Sequence, residues 1–315
     1  MKRDLTQAVE LYLETRRRFG YSLAGAEWML RSFVRYAKVA GYTGPLTAAL
    51  ALQWAQQPQQ ASRPYLALRL QTVRLFAQFW QAYDPKTEIP PTGWFGPSSR
   101  RRAVHIYSRA ELAQLLESAA SIRYPHPFRG QTLCALLGLL DCTGLRLGEA
   151  LGLTDQDIDW AEGVLTIQHA KGGHSRLIPV HLSTLEALQR YRALRNQTIG
   201  SALAPRLFVS YRARALRPYN VEWSFRQLRR RLGWTQRPVP RLHDLRHTFV
   251  VRTLLTWYQS TEPIEPKLWR LSTYLGHQHP ASTYWYLSAV PELMQLSQQR
   301  FATAQTWASG GTLHE

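Results

Sequence analysis

The helical periodicity that runs through most of this chain lapses once at length, between Asp84 and Val104. The string DPKTEIPPTGWFGPSSRRRAV holds four prolines and two glycines and ends in Arg100, Arg101 and Arg102. Prolines and glycines at that density interrupt helix and strand alike, so the chain divides into one domain before the break and another after it. At 315 residues it is long enough for both to have a core. The break reads as a basic linker over 87–106. Its three arginines suit a strand that clamps a polyanion, or equally a solvated charged loop.

Before the break, apolar residues recur at three- and four-residue spacing in AVELYLETRRRF, AEWMLRSFVRYAKVA, LTAALALQWA and YLALRLQTVRLFAQFWQAY. Interruptions fall at Gly20, from Gly41 to Pro45, and from Gln57 to Pro64. Four helices with short connections over 1–86 make a small helical domain. Arg16, Arg17, Arg18, Arg31 and Arg35 alternate along it with Tyr21, Tyr36 and Lys38. Such a mixture either lines a nucleic acid or places its aromatics in the core.

After the break, Ser108 followed by Glu111 in YSRAELAQLLESAAS is a helix-start signature. A helix over 128–141 ends in a turn at Thr143-Gly144. GVLTIQHAKGGHSRLIPV reads as two short strands joined by a Gly-Gly turn. Helices follow over 183–195, 220–232, 243–257, 266–275 and 291–305. The second domain, 107–290, is therefore mostly α with a small β-hairpin, and no internal repeat is evident. The segment 291–315 is amphipathic: Leu293, Leu296, Phe301 and Trp307 dock either on their own domain or on a neighbouring protomer.

Composition narrows the partner. A hydrophobic fraction of 45% is that of a globular protein, and the formal net charge is +18. Of 39 basic residues only Lys2, Lys38, Lys86, Lys171 and Lys267 are lysines. Arginine's planar fork matches phosphate oxygens, so the charge favours a polyanion over mere solubility. The charged, amphipathic N-terminus has no signal-peptide core, and the apolar run from Leu133 to Leu140 is too short to cross a bilayer. Cys134 and Cys142 lack zinc-site spacing and are expected to pack, which fits a reducing cytoplasm.

The chemistry concentrates in TGLRLGEALGL (143–153), AKGGHSRLIPV (170–180), HDLRH (243–247) and LGHQHPASTYWYL (275–287). Two arginines, a lysine, two histidines and a tyrosine can together hold a phosphodiester and attack it with neither metal nor bound nucleotide. His243 and Arg246 share one face of a helix that Pro238 and Pro240 force to begin there. A helix N-terminus adds favourable potential for an anion.

These strings resemble the tyrosine recombinases of the phage-integrase family over roughly 105–305. The pattern of an arginine in TGLR-x-x-E, a hairpin lysine, H-x-x-R, LGH and then a tyrosine falls on Arg146 with Glu149, Lys171, His243 with Arg246, His277 and Tyr286. The N-terminal part resembles, by character rather than by motif, the family's helical DNA-clamping, SAM-like core-binding domain. LSTYLGHQHPASTYWYLS is closer to recombinases of transposons and other mobile elements than to chromosome-dimer resolvases.

The resemblance implies a role for each residue. Arg146 and Arg246 grip the non-bridging oxygens of the scissile phosphate. Tyr286 attacks phosphorus and leaves a 3′-phosphotyrosine and a free 5′-hydroxyl. Lys171 protonates the departing oxygen. His243 accepts the tyrosine proton or holds a phosphate oxygen, and His277 donates a further hydrogen bond. Glu149 orients Arg146, and His247 is a packed or hydrogen-bonding helper. His174 and His279 read as surface histidines near the substrate. Tyr284, two residues from Tyr286, competes for the role of nucleophile, and the family spacing from LGH selects Tyr286.

The implied partner is double-stranded DNA with inverted-repeat core sites, held by a tetramer on two sites, with or without accessory proteins, in the cytoplasm at the nucleoid. No cofactor or metal is implied. A type IB topoisomerase and a non-catalytic integrase-fold regulator are the competing readings.

Overall fold

The computed structural model describes residues 4–21, 23–97, 103–168, 175–200, 206–260, 262–277, 279, 281–289 and 291–298. The chain separates into two compact units, Met1–Arg102 and Ala103–Glu315. Among the described residues the architecture is mostly helical, with one three-stranded antiparallel sheet.

The first unit comprises α1 (Leu5–Arg18), α2 (Ala24–Val39), α3 (Ala48–Gln56) and α4 (Arg63–Trp80). Asp4 and Thr47 start α1 and α3 by accepting the backbone N–H groups of Thr6 and Leu50, which satisfies donors the helix itself leaves open. The apolar stripes meet in one core around Leu13, Leu30, Phe33, Trp54, Val73 and Phe76. The proline-rich segment after α4 folds back onto this unit. Glu88 N–H donates to the Leu46 carbonyl (2.8 Å), its carboxylate accepts from Ala48 N–H (2.9 Å), and Arg74 donates to the Pro90 carbonyl.

The second unit begins with α5 (Arg109–Ala120), whose start is the reciprocal box expected at Ser108 and Glu111, with bonds of 3.1 and 2.8 Å. Next come α6 (Phe128–Thr143), the short α7 (Leu147–Gly152), strands β1 (Ile158–Asp159), β2 (Val164–Ile167) and β3 (Arg176–Pro179), and α8 (Leu182–Ile199). The expected hairpin is β2–β3, registered from Val164 opposite Pro179 to Ile167 opposite Arg176, and β1 adds a third strand on the other edge of β2. α9 (Pro218–Arg231), α10 (Asp244–Gln259), α11 (Glu265–Leu275) and α12 (Ala281–Ala289) follow, and 291–298 is helical as well. The longest-buried stretch, α6, carries Leu133, Leu136, Leu137, Leu139 and Leu140 into the main core. A smaller core joins Val250, Val251 and Leu254 of α10 to Leu268, Leu271 and Leu275 of α11, with Tyr286 and Leu293. This smaller core sets the site, because α10, α11 and α12 each deliver one motif. Among the described residues no helix is long and apolar enough to cross a membrane.

Candidate active site

The site is organised by the end of one helix. α11 stops at Gly276, which takes a left-handed conformation (φ +64°), while His277 N–H turns back to the Ser272 carbonyl at 3.0 Å. Only glycine adopts that conformation without strain. The last carbonyls are left pointing outward, and three arginines take them in succession. Arg176 Nε donates to Tyr274 O (2.7 Å), Arg246 Nη2 to Leu275 O (2.7 Å) and Arg146 Nη2 to Gly276 O (3.0 Å). The negative end of the α11 dipole thus faces three guanidinium groups.

A second glycine does the same at the end of α6. Gly144 (φ +62°) caps that helix, and its carbonyl accepts from Arg246 Nη1 at 2.8 Å. A Cβ there would stand 2.5 Å from the Phe249 ring. TGLR therefore delivers Arg146 by way of a turn that also anchors Arg246. Arg246 is only 3% exposed. Burial, and then the charge of Arg146, bring its pKa down to about 10, so the guanidinium remains charged at neutral pH.

Glu149, one turn into α7, binds the arginines on either side of it. It accepts the backbone N–H of Arg146 (3.0 Å) and its Nη1 (2.9 Å), and it receives Arg176 Nη1 (3.2 Å) and Nη2 (2.8 Å). Burial opposes its ionisation, but the Arg176 bonds and then the Arg146 backbone bond outweigh burial and hold its pKa below the usual carboxylate value.

HDLRH opens α10 as the spacing requires, with Asp244 in the first turn. Asp244 is fully buried and accepts Arg241 N–H (2.9 Å) and Arg241 Nη2 (2.8 Å). This fixes the approach of the chain to the helix. His243 lies at the exposed rim, and its ring meets His247 edge-on with centroids 4.9 Å apart. Partial desolvation, then the charge of Arg246, lowers its pKa. His277 bonds Thr283 Oγ1 through Nδ1 (2.8 Å), and Thr283 in turn bonds Ser272 (2.7 Å). Burial and then Arg246 pull the His277 pKa down to about 4.

Tyr286, on α12, is 3% exposed and shares a hydrogen bond with His247 Nδ1 at 2.8 Å. Burial raises its phenol to about 12, against the pull of Arg246 and Arg146. The same ring of His247 is driven down to about 3 by burial and then by His243. The hydrogen bond therefore joins a neutral imidazole to a protonated phenol. Tyr284 has 40% of its surface exposed.

Arg146, Glu149, His243, Arg246, His247, His277 and Tyr286 thus gather around the ends of α6, α10 and α11. Lys171 and His174 lie outside the described residues, as do Arg100, Arg101 and Arg102. His279 is exposed. In the first unit, Arg17 pairs with Glu27, Arg18 with Glu14 (2.6 Å), and Arg31 with Glu27 (3.0 Å) and Glu10 (3.1 Å). Arg16 stacks on Tyr21 at 4.2 Å, and Arg35 is exposed. Exposed pairs of this kind contribute about 0–1 kcal/mol each. Cys134 and Cys142 are free thiols, the second accepting from Thr184 at 3.5 Å. Among the described residues no three His, Cys, Asp or Glu side chains cluster as a metal site requires.

Sequence reasoning missed Arg176 and Asp244. Arg176 had a signal: in β3 it lies two residues from the buried Ile178 and so on the core-facing side of the strand. Asp244 sits inside the HDLRH string, where its neighbours drew the attention.

Comparison with known proteins gives the family and the fold. The model of the phage integrase family matches residues 107–292. A chain named integrase/recombinase y4rB, from Sinorhizobium fredii, is 40% identical over 93% of this chain and 96% of its own length. The tyrosine recombinase XerC of Pseudomonas fluorescens is 30% identical over 72% of this chain and 75% of its own. Among solved structures, the Tn1549 transposon integrase in complex with transposon right end DNA has a TM-score of 0.65 at 17% identity, covering 94% of this chain and 99% of that one. A lambda integrase dimer bound to a core site has a TM-score of 0.62 at 16% identity, covering 90% and 76%. These two show the shared fold. The chain belongs to the phage integrase family and is a tyrosine recombinase.

Proposed function

We propose that this recombinase cuts and rejoins double-stranded DNA at specific sites through a 3′-phosphotyrosine, needing neither metal nor ATP. One observation carries the reading: Arg146 and Arg246 hang from adjacent carbonyls, Gly276 and Leu275, beside the helix that bears Tyr286. Two guanidinium groups held from one turn can clamp one phosphate, and charge pre-organised in this way stabilises a pentavalent transition state.

In the first step the Tyr286 oxygen forms a bond to phosphorus and the bond from phosphorus to the 5′-oxygen breaks. The phenolic proton passes to the histidine pair at His247 and His243, and Lys171 gives a proton to the 5′-oxygen. His277 donates a hydrogen bond to a phosphate oxygen. The phosphotyrosine keeps the energy of the broken ester, so a 5′-hydroxyl from a second duplex reseals the strand by the reverse reaction.

The arginines of the first unit and Arg100, Arg101 and Arg102 contact the DNA backbone, which fits a charge of +18. We assign the chain to a mobile element, in keeping with relatives named integrase/recombinase, with inverted-repeat core sites and a cytoplasmic, nucleoid-associated location. The active assembly in this reading is a tetramer on two sites, in which Leu293 stays in the smaller core of its own domain. A solved lambda integrase is a tetramer on a Holliday junction.

Incubating the protein with two duplexes that carry its own site tests the reading. Reciprocal strand exchange between them is expected. Relaxation of supercoiled plasmid without exchange would move the assignment to a topoisomerase, and binding without any strand breakage would move it to a regulator.

A further inference from the structure

We propose that Arg176 is a positioning residue of the recombination reaction, acting through Glu149 on the phosphate-gripping Arg146. The proposal rests on the reading of Arg146 given above. Three observations support it.

Arg176 takes the first of the three consecutive α11 carbonyls, so it is built into the same rack as Arg146 and Arg246. Its side chain and that of Glu149 are each only 9% exposed, and its two terminal nitrogens bind the two Glu149 oxygens. Nε lies on Tyr274 O and both terminal nitrogens on the Glu149 carboxylate, so the charge of Arg176 is already matched by an anion, whereas the Arg246 nitrogens meet only neutral carbonyls. Its action is therefore indirect.

The consequence for Arg146 is electrostatic and geometric. Without Arg176, Glu149 would be a buried carboxylate with Arg146 as its one guanidinium partner among these contacts. Glu149 would then draw Arg146 into a two-pronged pair and away from the phosphate. Arg176 satisfies most of the carboxylate, so Arg146 keeps a single side-chain bond to it (2.9 Å) and one to Gly276 O (3.0 Å). The remaining donors of Arg146, which retains 29% side-chain exposure, are free to meet an anion.

Arg176 also opens β3, five residues after Lys171 in the sequence. The ion pair with Glu149 and the bond to Tyr274 O therefore tie the start of β3 to α7 and α11. Space around it is limited, since a Cβ at Gly276 would stand 3.0 Å from Arg176 Nη1 and 3.4 Å from Arg146 Nη1.

The test is a double-mutant cycle on the full-length protein, with a nicked suicide duplex bearing the site that the wild-type chain selects from a randomised pool. Covalent adduct formation by wild type is the control; its absence would fail the reading of the site rather than this inference. R176Q is expected to slow adduct formation by roughly tenfold to a hundredfold, with the dissociation constant for the duplex changed less than about threefold. R176K is expected to restore part of the rate. In an E149Q background the same change should cost less than about threefold, because the carboxylate through which Arg176 acts is gone. If R176Q does not fold, as judged by thermal unfolding, R176K in both backgrounds completes the cycle. Equal losses in the two backgrounds, no loss of rate, or loss of affinity in step with loss of rate would each overturn the proposal.

Discussion

The hydroxyl of Tyr286 lies 2.8 Å from Nδ1 of His247. A buried phenol with its pKa raised to about 12 and an imidazole lowered to about 3 form a neutral pair. In the free protein the proton therefore stays on the tyrosine. A bound phosphodiester adds negative charge that favours protonated histidine, while Arg246 and Arg146 favour the phenolate.

Replacing His247 by Phe keeps the ring and removes the acceptor. Adduct formation should fall by about a hundredfold, the scale of a lost proton acceptor, with DNA affinity little changed. The buried hydroxyl left without a partner should also destabilise the protein by about 1–3 kcal/mol. Single-turnover adduct kinetics and chemical unfolding read the two effects separately.

Of the three described histidines with lowered pKa, the two depressed furthest predict an acid-sensitive fold. His247 and His277 titrate near 3 and 4 in the folded chain but near 6.5 when unfolded. Between those values the unfolded chain binds more protons. Stability should therefore be full above about pH 6.5 and be lost as pH falls towards 4, by at most about 1.4 kcal/mol per pH unit for each histidine. Unfolding free energies from pH 7.5 to 5 measure this slope, and His247→Gln should reduce it.

Gly276→Ala should impair catalysis more than folding. A left-handed alanine costs about 1 kcal/mol, which a domain of this size tolerates. The added methyl would press on Arg176 and Arg146, so adduct formation should drop by more than about tenfold. Gly144→Ala should instead destabilise strongly, because its methyl would meet the Phe249 ring rather than a flexible side chain end. Thermal unfolding of the two variants checks the contrast.

Changing Arg100, Arg101 and Arg102 to alanine should weaken DNA binding across sequences and flatten its dependence on salt, as loss of backbone contacts does. Affinity measured from 50 to 200 mM salt tests this, and an unchanged slope would remove those arginines from the interface.

Much of this was readable from local pattern. The Ser108–Glu111 cap and the helix starting at HDLRH rest on spacing within a few turns, and the described elements follow that spacing. The choice of Tyr286 over Tyr284 rests instead on the resemblance, through the distance from LGH. The glycines of TGLR and LGH were visible as motif letters, but their purpose was not. Each caps a helix so that carbonyls are left for arginines up to 130 positions away. Arg176 escaped notice for the same reason: its partners Glu149 and Tyr274 lie 27 and 98 residues distant. The edge strand β1 has only two residues, too few for alternation to register.

The most direct test is to trap the covalent complex on a suicide duplex, digest it with protease and locate the nucleotide by mass spectrometry. The prediction is a phosphodiester-linked nucleotide on Tyr286, formed by wild type and by Tyr284→Phe and absent from Tyr286→Phe. A nucleotide on Tyr284, or an adduct that survives Tyr286→Phe, would contradict the account.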